Sequence, residues 1–179
     1  GGFQMLGMYI SDEDGTEAGG NIRGIGLLPV VTEFSSKKHQ TRTQAVICAS
    51  EHGMMWDAAG IWENLNGIKV SGYEIHMGES TVGEGQAHAF AKIYNTVDGT
   101  EYMDGCVCGN VAGTYLHGIF DEKEFCDGFI NMLGKRCGIA THGGSDMSFE
   151  EYKQREYDKL ADAIRENMDM KYIYEIMGL

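Results

Sequence analysis

The chain has 179 residues, 42% of them hydrophobic, which suffices for one core and predicts a single domain. Its formal net charge of −13, with only 14 lysines and arginines, argues against a nucleic-acid or anionic-membrane surface. There is no apolar run of the roughly 20 residues that span a bilayer and no basic signal-peptide segment, so we expect a cytoplasmic protein that acts on small molecules.

The first ten residues, Gly-Gly-Phe-Gln-Met-Leu-Gly-Met-Tyr-Ile, predict a short helix over 1–10. Gly1 and Gly2 would let its first turn pack closely on a strand, and a glycine-rich turn that feeds a helix is how a nucleophile elbow is built. A flexible terminus explains the same residues equally well. Because neither a methionine nor a strand precedes Gly1, we expect the natural protein to extend further toward its N-terminus.

The middle of the chain predicts strands separated by turns. Residues 22–34 indicate strand, turn and strand around the only proline, Pro29, and the β-branched residues of 41–50 indicate a further strand. Residues 51–66 follow no clear period. Another strand is predicted at 87–94.

Residues 67–78 predict a strand that carries a polar pair, Glu74 and His76. Side chains two residues apart on a strand share a face, so the pair suits either a ligand pocket or a solvated edge. Tyr73 and Ile75 are expected to point the other way, into apolar packing. Glycines on both sides would let a ligand approach the backbone, which favours the pocket, and the acidic segment that follows is expected to be a loop.

Residues 113–121 read Gly-Thr-Tyr-Leu-His-Gly-Ile-Phe-Asp and place His117 between a short strand and a helix. Asp121 and Glu124 predict a capping box at the start of that helix. In an open parallel sheet, ligands bind outside the carboxyl ends of the strands, which is where His117 would lie. A structural histidine bonded to a loop carbonyl is the alternative.

The last third, 121–179, predicts helices. Ser148 and Glu151 form a second capping box, and an apolar stripe of helical period follows it, which indicates packing against the sheet. A short final helix is expected at 171–179.

The five cysteines are an odd number without a C-x-x-C pair, which suits a reducing compartment and excludes a standard zinc framework. Cys106 and Cys108 leave metal or redox use open, but plain packing on one face of a strand explains them better. No cysteine stands in a sharp glycine turn, so none is expected to be a nucleophile. The sequence contains no phosphate-binding loop, and we predict neither a metal site nor a cofactor in this chain.

Three of these segments, in this order, resemble the class I (triad) glutamine amidotransferase domain: Gly-Gly-x-Gln at the first helix, Gly-Tyr-Glu-Ile-His-Met-Gly at the strand end and the segment around His117. The likeness covers the whole chain and is closest to the C-terminal domain of the cobyric acid synthases. It implies an α/β fold with a flavodoxin-like open sheet and flanking helices. Residues 1–179 would be the C-terminal part of one such domain, incomplete at its N-terminus.

The resemblance implies a role for each matching position. The nucleophilic cysteine of such domains lies directly before the glycine that matches Gly1, so this chain alone is expected to be inactive. Gly1 would supply an oxyanion-hole N–H, Gln4 would line the glutamine pocket and His117 would be the general base. Three residues at the strand end would hold the α-amino and α-carboxylate groups of glutamine: Ile75, His76 and Met77.

One departure concerns the third member of the triad. Typical members follow the histidine with Pro-Glu, whose carboxylate orients the imidazole, whereas Gly-Ile-Phe-Asp follows His117 here. The candidates for that role are Asp121 and Glu74, and the alternative is that no residue fills it.

The resemblance also implies a function. Ammonia released from glutamine would serve the ATP-dependent amidation of corrinoid carboxylates in cobalamin biosynthesis, with ATP and Mg²⁺ bound by a separate N-terminal domain. The alternatives are the amidotransferase domain of cobyrinic acid a,c-diamide synthase, that of the lipid II amidating complex, and a catalytically inactive, amidotransferase-like interaction module.

Overall fold

The structure, a computed structural model, describes residues 1–49, 61–83, 87–141 and 147–179. Short 3₁₀ helices lie at Glu63–Leu65 and Ile119–Asp121. In chain order the helices and strands of the described ranges are α1 (Gly2–Leu6), β1 (Tyr9–Asp12), β2 (Gly20–Arg23), β3 (Val30–Ile47), β4 (Lys69–Val82), β5 (Ala91–Asn95), β6 (Glu101–Asp104), β7 (Cys106–Cys108), β8 (Val111–Gly113), α2 (Lys123–Cys137), α3 (Phe149–Asn167) and α4 (Met170–Met177). The chain divides into two compact units, Gly1–Gly143 and Gly144–Leu179.

The first unit is built on a six-stranded sheet centred on β3. β4 pairs with β3 along one edge, while β1 and β5 share the other edge, β1 near its start and β5 near its end. β2 pairs with β1, β6 pairs with β5, and β7 and β8 form a separate two-stranded sheet. The predicted α/β class, a central sheet with flanking helices, is confirmed.

Strand direction differs from the expectation for His117. Of the strand pairings in the described ranges only β1 with β3 is parallel. Parallel neighbours need long crossover connections, whereas the turn between β5 and β6 is short and passes through Gly99 at φ +78°. The position of His117 therefore does not follow from the carboxyl ends of a parallel sheet.

Several element boundaries also differ. The helix predicted over 1–10 ends at Leu6, because Gly7 is extended and a Cβ there would lie 2.6 Å from the Val30 oxygen. Met8 N–H donates to that same oxygen at 2.7 Å, which starts β1. The strand predicted at 41–50 is the end of β3, and the predicted acidic loop after Gly78 is largely the end of β4. Most of the segment 51–66 lies outside the described residues.

The faces of β4 differ in part from the expectation, because Glu74 and His76 line a cavity as the favoured alternative had it, but Tyr73 and Ile75 are not packed in the core. Glu74 is buried, with 1% of its surface exposed, whereas Tyr73 and Ile75 are 49% and 39% exposed. A carboxylate can take the inner face because hydrogen-bond donors meet it there, and buried polar groups require such partners. The alternation was predicted correctly, and the apolar packing expected for Tyr73 and Ile75 was wrong.

Two hydrophobic clusters lie in the described part of the first unit. The larger lies between the sheet, α2 and the segment after β8, and the smaller joins α1 to β3 and β7. α2 begins at Lys123 with Glu122 as its N-cap, and Asp121 belongs to the preceding 3₁₀ helix, where its N–H donates to Gly118 O. The predicted capping box of Asp121 and Glu124 is therefore not formed.

The described part of the second unit contains α3 and α4. The capping box of Ser148 and Glu151 is present, which confirms that prediction. The apolar stripe of α3 was expected to be core, but none of the helix is buried, and Leu160 is 59% exposed. No helix in the described ranges is both long and apolar enough to cross a membrane. That residues 1–179 form a single domain stays a prediction.

Candidate functional site

The backbone of His117 pairs with that of Tyr73 on β4 and so adds one residue pair to the sheet. His117 N–H donates to Tyr73 O at 2.8 Å, and Tyr73 N–H donates to His117 O at 3.3 Å. The imidazole stacks on the Tyr73 ring, with centroids 5.0 Å apart and planes at 17°, and is exposed. β4 therefore fixes the position of His117 from both its backbone and its side chain.

Gly72 makes this pairing possible. A Cβ at Gly72 would collide with His117 O and would lie 2.8 Å from Leu116 Cδ1. The glycine beside the polar pair was expected to admit a ligand to the backbone. In the structure Gly72 makes room for the histidine segment instead. Because Gly72 has no side chain, the candidate base can lie next to β4.

The imidazole of His117 is oriented by a backbone carbonyl. Its Nδ1 lies 2.7 Å from Tyr115 O, which assigns the proton to Nδ1 and leaves Nε2 as the acceptor of an exposed ring. Among the described residues, neither Asp121 nor Glu74 forms a hydrogen bond with His117. The alternative of a structural histidine also predicted a hydrogen bond to a loop carbonyl. The ring of His117 can nevertheless act as a base because its Nε2 is open.

Gln4 joins α1 to the end of β4. It is 5% exposed, and its Nε2 donates to Met77 O at 2.9 Å. Phe3 packs edge-on against Tyr115 at 5.0 Å. The first helix therefore contacts both the strand end and the histidine segment. Gly1 caps the start of α1 and is exposed.

His76 lies beside this junction. Its ring stacks on Tyr115 with centroids 3.8 Å apart, and its Nδ1 lies 3.1 Å from Gly78 O. Burial lowers the pKa of His76, an effect that the Gly78 carbonyl partly opposes, so the ring is neutral near pH 7. Ile75 and Met77 alternate with His76 along β4, so their side chains lie on its opposite face, and Met77 joins this group through its carbonyl oxygen.

A second polar group, formed by Tyr102, Glu74 and His39, lies next to His76. Tyr102 OH donates to the buried Glu74 Oε2, and His39 Nε2 is 3.3 Å from the same oxygen. Burial, followed by the bond to Glu74, raises the pKa of Tyr102, so its hydroxyl stays protonated and donates. These residues line a cavity of about 490 Å³ together with His76 and Tyr115.

Asp104 was missed by the sequence analysis. Its Oδ2 accepts from Tyr115 N–H at 3.1 Å and from the Thr114 hydroxyl, which ties β6 to the histidine segment. Burial raises the pKa of Asp104 to about 6. The Asp-Gly pair indicates only a turn, and nothing in the sequence connects it with a residue ten positions later.

Cys106 does not replace the expected nucleophile. Cys106 is buried, and burial raises the pKa of its thiol to about 11, so it remains protonated at neutral pH. This favours the plain packing role that was expected for Cys106 and Cys108.

The family follows from the comparison with known proteins. The α/β fold, in which α1 contacts both the end of β4 and the histidine segment, agrees with a glutamine amidotransferase domain. Residues 1–125 match the model of the CobB/CobQ-like glutamine amidotransferase domain, and the chain belongs to this family of the glutamine amidotransferase class.

Three relatives with similar sequences are all cobyric acid synthases. The chain is 40% identical to the cobyric acid synthase of Lachnoclostridium phytofermentans over 187 residues and 41% identical to that of Alkaliphilus metalliredigens over 181 residues. The cobyric acid synthase of Thermoanaerobacter sp. is 40% identical over 181 residues. Each alignment covers 99% of this chain and 34% of the relative, so the chain spans about a third of the length of these proteins. The resemblance drawn from the three motifs is confirmed.

Proposed function

We propose that this domain hydrolyses glutamine and supplies the ammonia with which a cobyric acid synthase amidates corrinoid carboxylates. The observation that carries the proposal is His117, held by Tyr73 and Tyr115 with Nε2 open, in a chain of the amidotransferase family. The amidation itself, with its ATP and Mg²⁺, is assigned to another part of the protein, and no cofactor is assigned to this chain.

The chemistry needs a thiol, which the family pattern assigns to a cysteine directly before Gly1. His117 Nε2 takes the thiol proton, and the thiolate attacks the side-chain amide carbon of glutamine. Gly1 N–H at the start of α1 stabilises the oxyanion. His117 returns the proton to the leaving ammonia, and water then hydrolyses the γ-glutamyl thioester to glutamate.

Glutamine recognition is assigned to the junction of α1 and β4. Gln4 is held by Met77 O, and His76 is assigned a main-chain contact with glutamine, because its Nδ1 is held by Gly78 O. Ile75 contributes through its main chain, because its side chain lies on the other face of β4.

We also propose a cytoplasmic location and no nucleic-acid partner. The net charge of −13 disfavours phosphate binding, and five cysteines, an odd number without a C-x-x-C pair, suit a reducing compartment.

The experiment compares two nitrogen sources in the whole protein. In His117→Ala, glutamine-dependent amidation is expected to fall on the order of 10²-fold, the contribution of a general base, while amidation with added ammonium salt stays close to wild type. Equal loss with both sources would contradict a role in glutamine hydrolysis. Undiminished activity with both would favour the inactive interaction module.

A further inference from the structure

Three side chains that can ligate a metal lie in the wall of the cavity behind His76. They are His39, Glu74 and His76, and one candidate ligand atom of each lies within 4.8 Å of the other two. The glutamine reaction gives no task to His39 or Glu74. We propose that these three residues form a binding site for a divalent transition-metal ion of the zinc type.

The sheet places the three ligands on one face. His39 on β3 is the direct cross-strand partner of His76 on β4, and Glu74 lies two residues before His76. Cross-strand partners and residues two apart on a strand share a face of the sheet. The site is thus built on two paired strands rather than on loops, which holds the ligand atoms in place without the ion.

The distance between two of the candidate ligand atoms suits a small ion. His39 Nε2 is 3.3 Å from Glu74 Oε2, and two ligands at zinc bond lengths in a tetrahedron are about 3.4 Å apart. His76 Nδ1 lies 3.1 Å from Gly78 O, which leaves Nε2 for the ion. Ligating histidines commonly donate their other ring N–H to a carbonyl in this way. The hydroxyl of Tyr102 orients Glu74 similarly.

Charge favours an ion at this position. Glu74 is 1% exposed, and a buried carboxylate is costly without a compensating positive charge. A divalent cation supplies that charge, and the cavity leaves room for water as a fourth ligand. Two imidazoles with one carboxylate select zinc-type ions over Mg²⁺. The sequence did not show the site because its ligands come from strands 35 residues apart in the chain.

The test is a calorimetric titration of the untagged protein with ZnCl₂. We expect one ion per chain, no measurable binding of MgCl₂, and at least tenfold weaker zinc binding in His39→Gln. Tyr102→Phe, which removes only the orienting hydroxyl, is expected to weaken zinc binding 10- to 100-fold. His117→Ala is the matched control and should bind zinc as the wild type does, although it loses glutamine hydrolysis.

Thermal unfolding of each variant shows that it is folded, and zinc should raise the unfolding midpoint of the wild type but not that of His39→Gln. No saturable zinc binding, or undiminished binding in folded His39→Gln, would overturn the site. Equal weakening in His117→Ala would overturn the assignment to these three residues. None of these outcomes depends on whether the domain hydrolyses glutamine.

Discussion

Tyr115 connects a buried carboxylate to the candidate base. Its N–H donates to Asp104, and its carbonyl accepts the proton of His117 Nδ1. In a triad with a third member, a carboxylate orients the imidazole directly. Here the side chain of Asp104 holds the residue that orients it, so the sequence Gly-Ile-Phe-Asp after His117 does not leave the ring without an orienting partner.

Asp104 should make stability depend on pH. Its pKa is raised by burial to about 6, above its value near 3.8 when unfolded, so the folded state binds the extra proton between these values. Its contribution is complete below about pH 4 and is lost as the pH rises to about 6, by roughly 3 kcal/mol. In Asp104→Asn this loss should disappear, which urea unfolding from pH 4 to pH 7 would measure. The same slope in both proteins would show that Asp104 does not titrate as described.

A substitution at Gln4 tests whether a single hydrogen bond of the pocket supports glutamine binding. Gln4→Leu removes the donor to Met77 O and leaves that carbonyl without this partner. We expect the KM for glutamine to rise about tenfold, with a smaller change in kcat, because the loss falls mainly on binding. Met5→Ala on the same helix, at a largely exposed side chain, is the control and should leave KM unchanged. A fall in kcat at constant KM would place Gln4 in the chemistry instead.

At the scale of elements, β4 organises both candidate sites. One strand supplies the main-chain partner of His117, the carbonyl that holds Gln4, and two of the three proposed metal ligands. The partner strand β3 supplies the third. Their separation along the chain gives no local signal, and only the pairing register brings them together.

Gly72→Ala tests that pairing. The added methyl group would collide with His117 O and press on Leu116, so the histidine segment must move away from β4. We expect a destabilisation of about 1–3 kcal/mol, measured by urea unfolding, and a loss of glutamine hydrolysis of more than tenfold. Ser71→Ala, at the preceding exposed position, keeps its backbone N–H bond to Glu122 and should change neither. Normal hydrolysis in Gly72→Ala would show that the pairing does not position His117.

For the whole molecule, the sequence predicted the α/β class and the family, which are confirmed, and the roles of the site residues stay predictions. The resemblance of the three motifs implied that Gln4, the end of β4 and His117 belong to one site. Strand direction and the inner face of β4 were not predictable, since alternation shows that a strand has two faces but not which one is buried. Asp104 and His39 were missed because their partners are set by tertiary pairing alone.

The central claim is that His117 acts through Nε2 while Nδ1 only orients the ring. His117→Asn separates the two roles, because its amide N–H can replace Nδ1 in donating to Tyr115 O but provides no base. In the protein that carries the expected cysteine before Gly1, ammonia release from glutamine should fall on the order of 10²-fold in His117→Asn, with an unchanged unfolding midpoint. A rate within a few-fold of wild type in the folded variant would contradict the account.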